Sequence, residues 1–197
     1  MQLLKTSNGG ISWQDITANL KKELAVGEAG FAASGTTIRT LPGGHTWVSS
    51  GGSVSNIYYS SNYGKSWKVY PLPILQGESS TGPFSIAFLN KKKGVAVGGN
   101  YLKDKENTNN ILLTNNGGKT WVKPTLPVGG YRSGVTYITD KMLIATGTSG
   151  TDISLDGGMT WKTISQLNLN AVQKAKNGTT VLLTGNSGRI YKLIITP

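Results

Sequence analysis

Three charged side chains are candidates for binding a ligand. Each lies in a short segment that begins with a glycine and contains a second glycine. They are Glu28, Glu78 and Arg132. A guanidinium and two carboxylates on one face can hold a polar group through charge-assisted hydrogen bonds, and they can equally pair with one another. We expect Tyr131 to stack beside Arg132, and Glu28 and Glu78 to orient it. We therefore take Arg132, Tyr131, Glu28 and Glu78 as candidate partner- or ligand-binding residues, with an internal network as the alternative.

Secondary-structure elements must position these candidate residues, and an eight-residue repeat in the sequence indicates which elements they are. Each copy holds Ser or Thr at position one, Asn or Asp at position three, Gly at position five, Ser or Thr at position seven and Trp at position eight. The four copies end at Trp13, Trp67, Trp121 and Trp161, so that successive tryptophans are 54, 54 and 40 residues apart. A period of this size is typical of stacked supersecondary units such as propeller blades.

The chemistry of the repeat predicts a turn between two strands. Short apolar stretches flank the copies, which is the layout of a β-hairpin. The Asn or Asp side chain can bond back to nearby backbone N–H groups, and the glycine suits a positive φ. We expect a structural role for all four copies. A calcium site at Asp156 is not expected, because the other three copies carry a neutral Asn there and a calcium cage needs several carboxylates.

The rest of the chain alternates short apolar runs with glycine-bounded turns and sustains no helical period. The sequence predicts an all-β fold, namely a β-propeller of four-stranded antiparallel blades in one domain. We expect about four blades, either closed by strand exchange between the ends of the chain or forming part of a larger ring. The predicted divisions are a partial blade at 1–20, blades at 28–72, 83–127 and 131–166, and a three-stranded closing blade at 168–195.

The four repeats resemble the Asp-box, or BNR, repeats of sialidase-like β-propellers. Other segments are similar to bacterial relatives of the photosystem II stability and assembly factor, many of which carry the label oxidoreductase. The resemblance spans nearly the whole chain and implies a protein that docks a partner on a propeller face, through a patch that we expect to centre on Arg132. The similar segments are 27–35, 84–88, 93–99 and 130–134.

The start of the chain differs from these relatives, which usually have more blades and an export signal. Residues 1–5 read as a strand entering a blade, and they lack the apolar core and cleavage site of a signal peptide. The localisation stays open. The resemblance implies an exported protein, periplasmic or at the cell surface, if the chain is the C-terminal portion of a longer one.

The composition narrows the class of partner. Lys and Arg number 20 against 9 Asp and Glu, which gives a net charge of +11, and cysteine is absent. The absence of cysteine excludes disulfides, thiol nucleophiles and cysteine-ligated zinc, and no apolar stretch is long enough to span a membrane. The charge favours an acidic partner, for which we expect a protein and keep carbohydrate as the alternative. Nucleic acid is not expected, because no basic helix or aromatic-interleaved basic run is present.

Enzymatic activity is not expected. A sialidase would need three arginines around a carboxylate, whereas this chain has three in all and only Arg132 falls at a plausible inner position. Glu28 and Glu78 could serve as the two carboxylates of a glycoside hydrolase, but their flanking residues do not support it. No dinucleotide-binding glycine motif or metal cluster supports an oxidoreductase, and no cofactor or metal is predicted. The sequence favours a non-catalytic protein-binding or assembly scaffold, with acidic-carbohydrate binding or sialidase-like glycoside hydrolysis as alternatives.

Overall fold

The computed structural model of the chain describes residues 1–31 and 35–195. Residues 32–34, within the predicted second blade, and residues 196–197 lie outside the described residues. The described part folds into seventeen short strands in five antiparallel sheets, with 3-10 helices at Thr17–Leu20 and Asn186–Gly188. The prediction of an all-β fold built from antiparallel sheets is confirmed.

The first two sheets come from the first third of the chain. They consist of β1 (Leu4–Lys5) and β2 (Gln14–Asp15), and of β3 (Glu28–Ala29), β4 (Ile38–Leu41), β5 (His45–Gly52), β6 (Asn56–Ser60) and β7 (Lys68–Pro71). β5 pairs with β6 along one edge, while β3 and β4 share its other edge. β3 pairs with the end of β5 and β4 with its beginning, so these two short strands together act as one inner strand.

The other three sheets follow in chain order. They consist of β8 (Thr81–Phe88), β9 (Gly94–Asn100) and β10 (Ile111–Thr114); of β11 (Gly134–Tyr137), β12 (Leu143–Gly147), β13 (Gly150–Ser154) and β14 (Lys162–Ser165); and of β15 (Leu169–Lys174), β16 (Val181–Gly185) and β17 (Ile190–Lys192). Each sheet is an up-and-down meander. A single bridge between Leu113 and Val122 adds a short fourth member to the third sheet.

The middle sheets are buried on both faces, because each lies between two others. Every residue of β9 is buried. One face of β9 packs against Trp47 of the second sheet, and the other packs against Val135 and Trp161 of the fourth. This explains why β9 reads as a nearly continuous apolar run, since a strand with two covered faces has no need of polar alternation.

The first strands of successive sheets lie side by side along a common axis. Arg39 Nε in β4 donates to the carbonyl of Ile86 in β8 at 2.9 Å. The N–H of Val135 in β11 donates to Ser85 Oγ in β8 at 3.0 Å. β11 also packs against β15 of the last sheet. The sheets are therefore arranged like propeller blades around their inner strands.

Strand pairing does not join the two ends of the chain. β1 pairs with β2 and β17 pairs with β16, and within residues 1–31 and 35–195 no strand is shared between the last sheet and the first. The strand exchange expected to close the ring is thus not seen. The number of blades and the division of the chain into them stay predictions.

Candidate functional site

All four repeats adopt the same hydrogen-bonded turn. In the third repeat, Thr114 Oγ1 accepts the N–H of Gly118 at 2.9 Å, and Asn116 Oδ1 accepts the N–H of Thr120 at 3.0 Å. The other three repeats keep both bonds at 2.9 or 3.0 Å. The polar side chains of the repeats are therefore engaged in holding their own turns.

The repeats lie at the same end of the sheets as the turns between first and second strands. Repeat N–H groups donate to those turns, as in Tyr63 to Gly44 at 3.0 Å, Gly117 to Lys92 at 2.8 Å and Gly157 to Lys141 at 2.7 Å. We call this end the turn rim. It comprises the four repeats and residues 42–44, 89–93, 138–142 and 175–180. We call the opposite end the loop rim, which comprises residues 21–28, 53–55, 72–80, 101–110, 128–133, 148–149, 166–168 and 186–189.

The four predicted binding residues all lie at the loop rim, and Arg132 is the most deeply buried of them. Its side chain has no exposed surface and forms an ion pair with Asp152, in which Nε and NH2 lie 2.6 and 2.5 Å from Oδ2. Its NH1 donates to the carbonyl of Tyr131 and to Ser149 Oγ at 2.9 and 2.7 Å. Burial lowers the pKa of Arg132, and the charges of Asp152 and Asp104 oppose that shift.

Asp152 is the acidic partner that sequence reasoning missed. Its carboxylate is buried and also accepts the Thr163 hydroxyl at 2.6 Å and the N–H of Gly129 at 3.2 Å. The sequence around Asp152 gives no sign that this carboxylate is in a buried ion pair, because its partner Arg132 lies 20 residues away along the chain. Arg132 and Asp152 thus form an internal network, which was one of the two expected alternatives.

Glu28 belongs to a separate network in the second sheet. Its Oε1 accepts Ser50 Oγ at 2.5 Å, Asn56 Nδ2 at 2.9 Å and Tyr58 OH at 2.7 Å, and its Oε2 accepts the N–H of Ala25 at 3.0 Å. Burial on its own raises the pKa of Glu28, but these hydrogen bonds outweigh burial and the net shift is downward. The carboxylate is therefore held as a structural anion.

Glu78 is exposed, and its contacts are to its own sheet. Its Oε2 accepts Asn100 Nδ2 at 3.2 Å. The expectation that Glu28 and Glu78 orient Arg132 is therefore wrong, because Asp152 occupies that role and the two glutamates bond elsewhere. Tyr131 also departs from expectation, since its ring packs edge-on against Phe84 at 4.9 Å instead of stacking on Arg132.

The ring of Tyr131 is part of an aromatic cluster that sequence reasoning did not identify. Phe31 stacks on Phe84 at 4.2 Å, and Phe84 meets Tyr101 and Tyr131 edge-on at 5.8 and 4.9 Å. The cluster joins the second, third and fourth sheets. Tyr101 is 47% exposed, and the neighbouring Leu102 is 73% exposed. These two side chains form an apolar shelf above the cluster. In the sequence, the feature that could have indicated the shelf is an apolar pair at the start of a polar loop.

Hydrogen bonds fasten the loop that carries this shelf. The carbonyl of Asp104 accepts the N–H of Tyr131 at 2.8 Å, and its Oδ2 accepts the hydroxyl of Thr148 at 2.7 Å. The N–H of Leu102 donates to Asn100 Oδ1 at 2.9 Å. Residues 101–104 are therefore tied to the third and fourth sheets, so the shelf has a defined position.

In the part of the chain that the structure describes, no group of three or more His, Cys, Asp or Glu side chains is placed to hold a metal ion. No helix there is long and apolar enough to cross a membrane.

Comparison with known proteins gives a likeness in structure to solved proteins. No protein-family model matches the chain, and no curated protein matches it. YCF48 bound to D1 peptide matches with a TM-score of 0.58 and 18% identity, over 96% of this chain and 55% of that one. YCF48 from Cyanidioschyzon merolae matches with a TM-score of 0.58 and 18% identity, over 97% and 59%. An ancestral GH74 enzyme matches with a TM-score of 0.57 and 17% identity, over 84% and 23%.

These likenesses concern the fold alone, because all three identities are below 20%. The chain spans a little over half the length of the two YCF48 chains and about a quarter of the GH74 chain. The fold is thus propeller-like.

Proposed function

We propose that this protein is a non-catalytic scaffold that docks another protein on its loop rim. The observation that carries the proposal is the exposed shelf of Tyr101 and Leu102 on a rigid aromatic base. Exposed aromatic and aliphatic side chains that are already ordered make effective anchors in protein interfaces, since docking then costs little side-chain entropy. The shelf suits an extended peptide or loop that presents an apolar side chain.

The residues predicted from the sequence take different parts in this proposal. Arg132 and Tyr131 are positioning residues, because one is fully buried and the other supports the shelf from below. Glu78 is exposed beside Asn100 and can contact the partner at the edge of the shelf. Glu28 holds the start of the second sheet through its four hydrogen bonds, and we assign it no contact with the partner.

A protein of similar fold that binds a peptide supports the proposal of protein docking. YCF48, which shares the fold at 18% identity, is described as bound to D1 peptide. That title concerns YCF48, and we carry over to this chain only the idea that a propeller-like surface can hold a peptide. The loop rim carries six basic and five acidic residues, so its charge is nearly balanced and gives no basis for the expectation of an acidic partner.

Site-specific photo-crosslinking tests the proposal. A benzophenone amino acid at position 101 is expected to capture a discrete protein in extract of the native source, and Leu102→Ser is expected to abolish the capture. The same amino acid at Tyr63, on the turn rim and 60% exposed, is the matched control. The captured protein is then purified and titrated with the unmodified chain. Crosslinks at position 63 but none at position 101 would refute docking at the loop rim.

Glycoside hydrolysis is the second candidate, and the likeness to a GH74 enzyme favours it. A glycosidase needs a general acid whose pKa is raised toward neutrality. The pKa of Glu28 is shifted the opposite way, and Asp152 is committed to Arg132. We therefore expect no release of reducing sugar from a panel of polysaccharides and fluorogenic glycosides. Turnover that disappears in Glu78→Gln would establish the enzyme instead.

A further inference from the structure

The positive charge of this protein is concentrated on one rim. Twelve of the seventeen lysines lie in the turn rim or within two residues of it, against three carboxylates, which are Asp15, Asp140 and Asp156. At the loop rim, by contrast, six basic side chains stand against five acidic ones. The net charge of +11 thus belongs almost wholly to the turn rim. Its lysines are 5, 65, 68, 91, 92, 93, 119, 123, 141, 162, 174 and 176.

Apolar side chains are exposed among these lysines. The second, fourth and sixth positions of the repeats do not make the two turn hydrogen bonds, and several of their side chains face solvent. Those positions carry Ile11 at 87%, Tyr63 at 60% and Leu155 at 64% exposure. Each protrudes from a tight turn with little apolar cover of its own. The repeats therefore display a mixture of lysine and large apolar side chains along one edge of the molecule.

We propose that the turn rim binds the surface of an anionic phospholipid bilayer. Lysine ammonium groups are attracted to acidic headgroups, at about 1 kcal/mol for each lysine near the surface. Apolar side chains on the same edge enter the boundary between headgroups and acyl chains, and the two effects together give stable peripheral binding. Trp13 and Tyr63, each 60% exposed on this rim, offer stacking faces for bases. The more exposed aliphatic side chains Ile11 and Leu155 do not, and they favour a bilayer over nucleic acid. The loop rim then faces away from the membrane and stays open to a protein partner.

Vesicle binding tests this proposal independently of protein docking, because the variants leave the loop rim shelf intact. Co-sedimentation is measured with vesicles of phosphatidylcholine alone and with vesicles that also contain phosphatidylglycerol. We expect binding to the anionic vesicles only, weakening as salt screens the charges. Lys91→Ser/Lys92→Ser/Lys93→Ser removes three turn-rim charges and is expected to weaken binding roughly 100-fold, from about 1 kcal/mol for each lysine.

The matched control removes three charges from the loop rim by Lys22→Ser/Lys103→Ser/Lys105→Ser. It is expected to bind as the wild type does. Ile11→Ser/Leu155→Ser tests the apolar contribution and is expected to weaken vesicle binding while leaving the salt dependence in place. Thermal melts show whether each variant is folded. Equal losses in the two lysine variants, or tighter retention on heparin or duplex DNA than on vesicles, would overturn the proposal.

Discussion

At the level of single residues, the ion pair of Arg132 and Asp152 holds one segment of the loop rim against its sheet. Both side chains are essentially unexposed, and together they connect the segment 128–133 with strand β13. A buried ion pair of this kind contributes little net stability, because the desolvation of two charges offsets their attraction. Removing only one partner is strongly destabilising, since the remaining charge stays buried without a counterion.

We therefore predict that Arg132→Ala lowers the free energy of unfolding by about 3 to 5 kcal/mol. The double variant Arg132→Ala/Asp152→Ala is expected to lose less than the sum of the two single changes, because no unpaired charge is left. Urea denaturation measures all three, and exposed Arg189→Ala is the control. Additive losses would show that the two side chains are not coupled.

A second residue-scale prediction concerns Asp156 of the fourth repeat. Hydrogen bonds from the hydroxyl and N–H of Thr160 lower the pKa of Asp156 to about 2. Since its folded pKa lies below the unfolded value, its contribution is present above about pH 4 and disappears as the pH falls through about 2. Asp156→Asn, which copies the other repeats, is expected to remove this pH dependence and keep the fold.

Asp156→Ala provides the contrast. It leaves the N–H of Thr160 without an acceptor and is expected to cost about 1 kcal/mol at pH 7, as loss of a turn hydrogen bond typically does. Thermal melts between pH 2 and pH 7 compare the variants. A melting temperature for Asp156→Asn below that of Asp156→Ala would contradict this account of the repeat.

At the level of elements, close contact between strands sets the geometry of the third sheet. The register of β8 and β9 shifts between Pro83 and Ser85, where Gly98 faces the shift. A Cβ at Gly98 would overlap the carbonyl oxygen of Gly82 in the neighbouring strand. Gly98 does not have a positive φ, so glycine is required there because a larger residue has no room for its Cβ. This close approach brings Phe84 under the loop that carries the shelf.

We predict that Gly98→Ala lowers the free energy of unfolding by about 3 kcal/mol, at the upper end of the usual cost of overpacking. For a domain of this size that corresponds to a fall in Tm of roughly 6 to 12 °C. Gly30→Ala is the matched control, because a Cβ at Gly30 meets only the sulfur of Met1 at 3.9 Å. Calorimetry that gave equal Tm values for the two variants would contradict the steric argument.

At the level of the whole molecule, the repeats and the loops divide the surface into two rims of different character. The turn rim is strongly basic, and the loop rim is nearly balanced in charge and carries the apolar shelf. A scaffold with these two faces can hold a partner at one end while the other rests on an anionic surface. The last sheet also leaves apolar side chains uncovered, since Leu182 and Ile190 are 42% and 68% exposed.

The sequence predicted those parts of the structure that depend on local chemistry. The repeat turns follow from residues at most seven positions apart, and their period indicated stacked sheets. Asp152 and the aromatic cluster were missed, because their partners come from other sheets and no local pattern marks them. The prominence of Tyr101 and Leu102 likewise depends on Asp104 fastening the loop to Tyr131. Conversely, Glu28 was expected to contact Arg132, but Glu28 bonds to residues of its own sheet and Arg132 pairs with Asp152.

The most direct test of the scaffold account is a titration with peptides selected from a random display library against the intact chain. The account predicts that a selected peptide binds the wild type and loses at least about tenfold in affinity with Tyr101→Ser/Leu102→Ser, which is the loss of one interface anchor. It also predicts unchanged affinity with Lys91→Ser/Lys92→Ser/Lys93→Ser. A library that yields no binder, or peptides that bind wild type and shelf variant equally, would contradict the central claim.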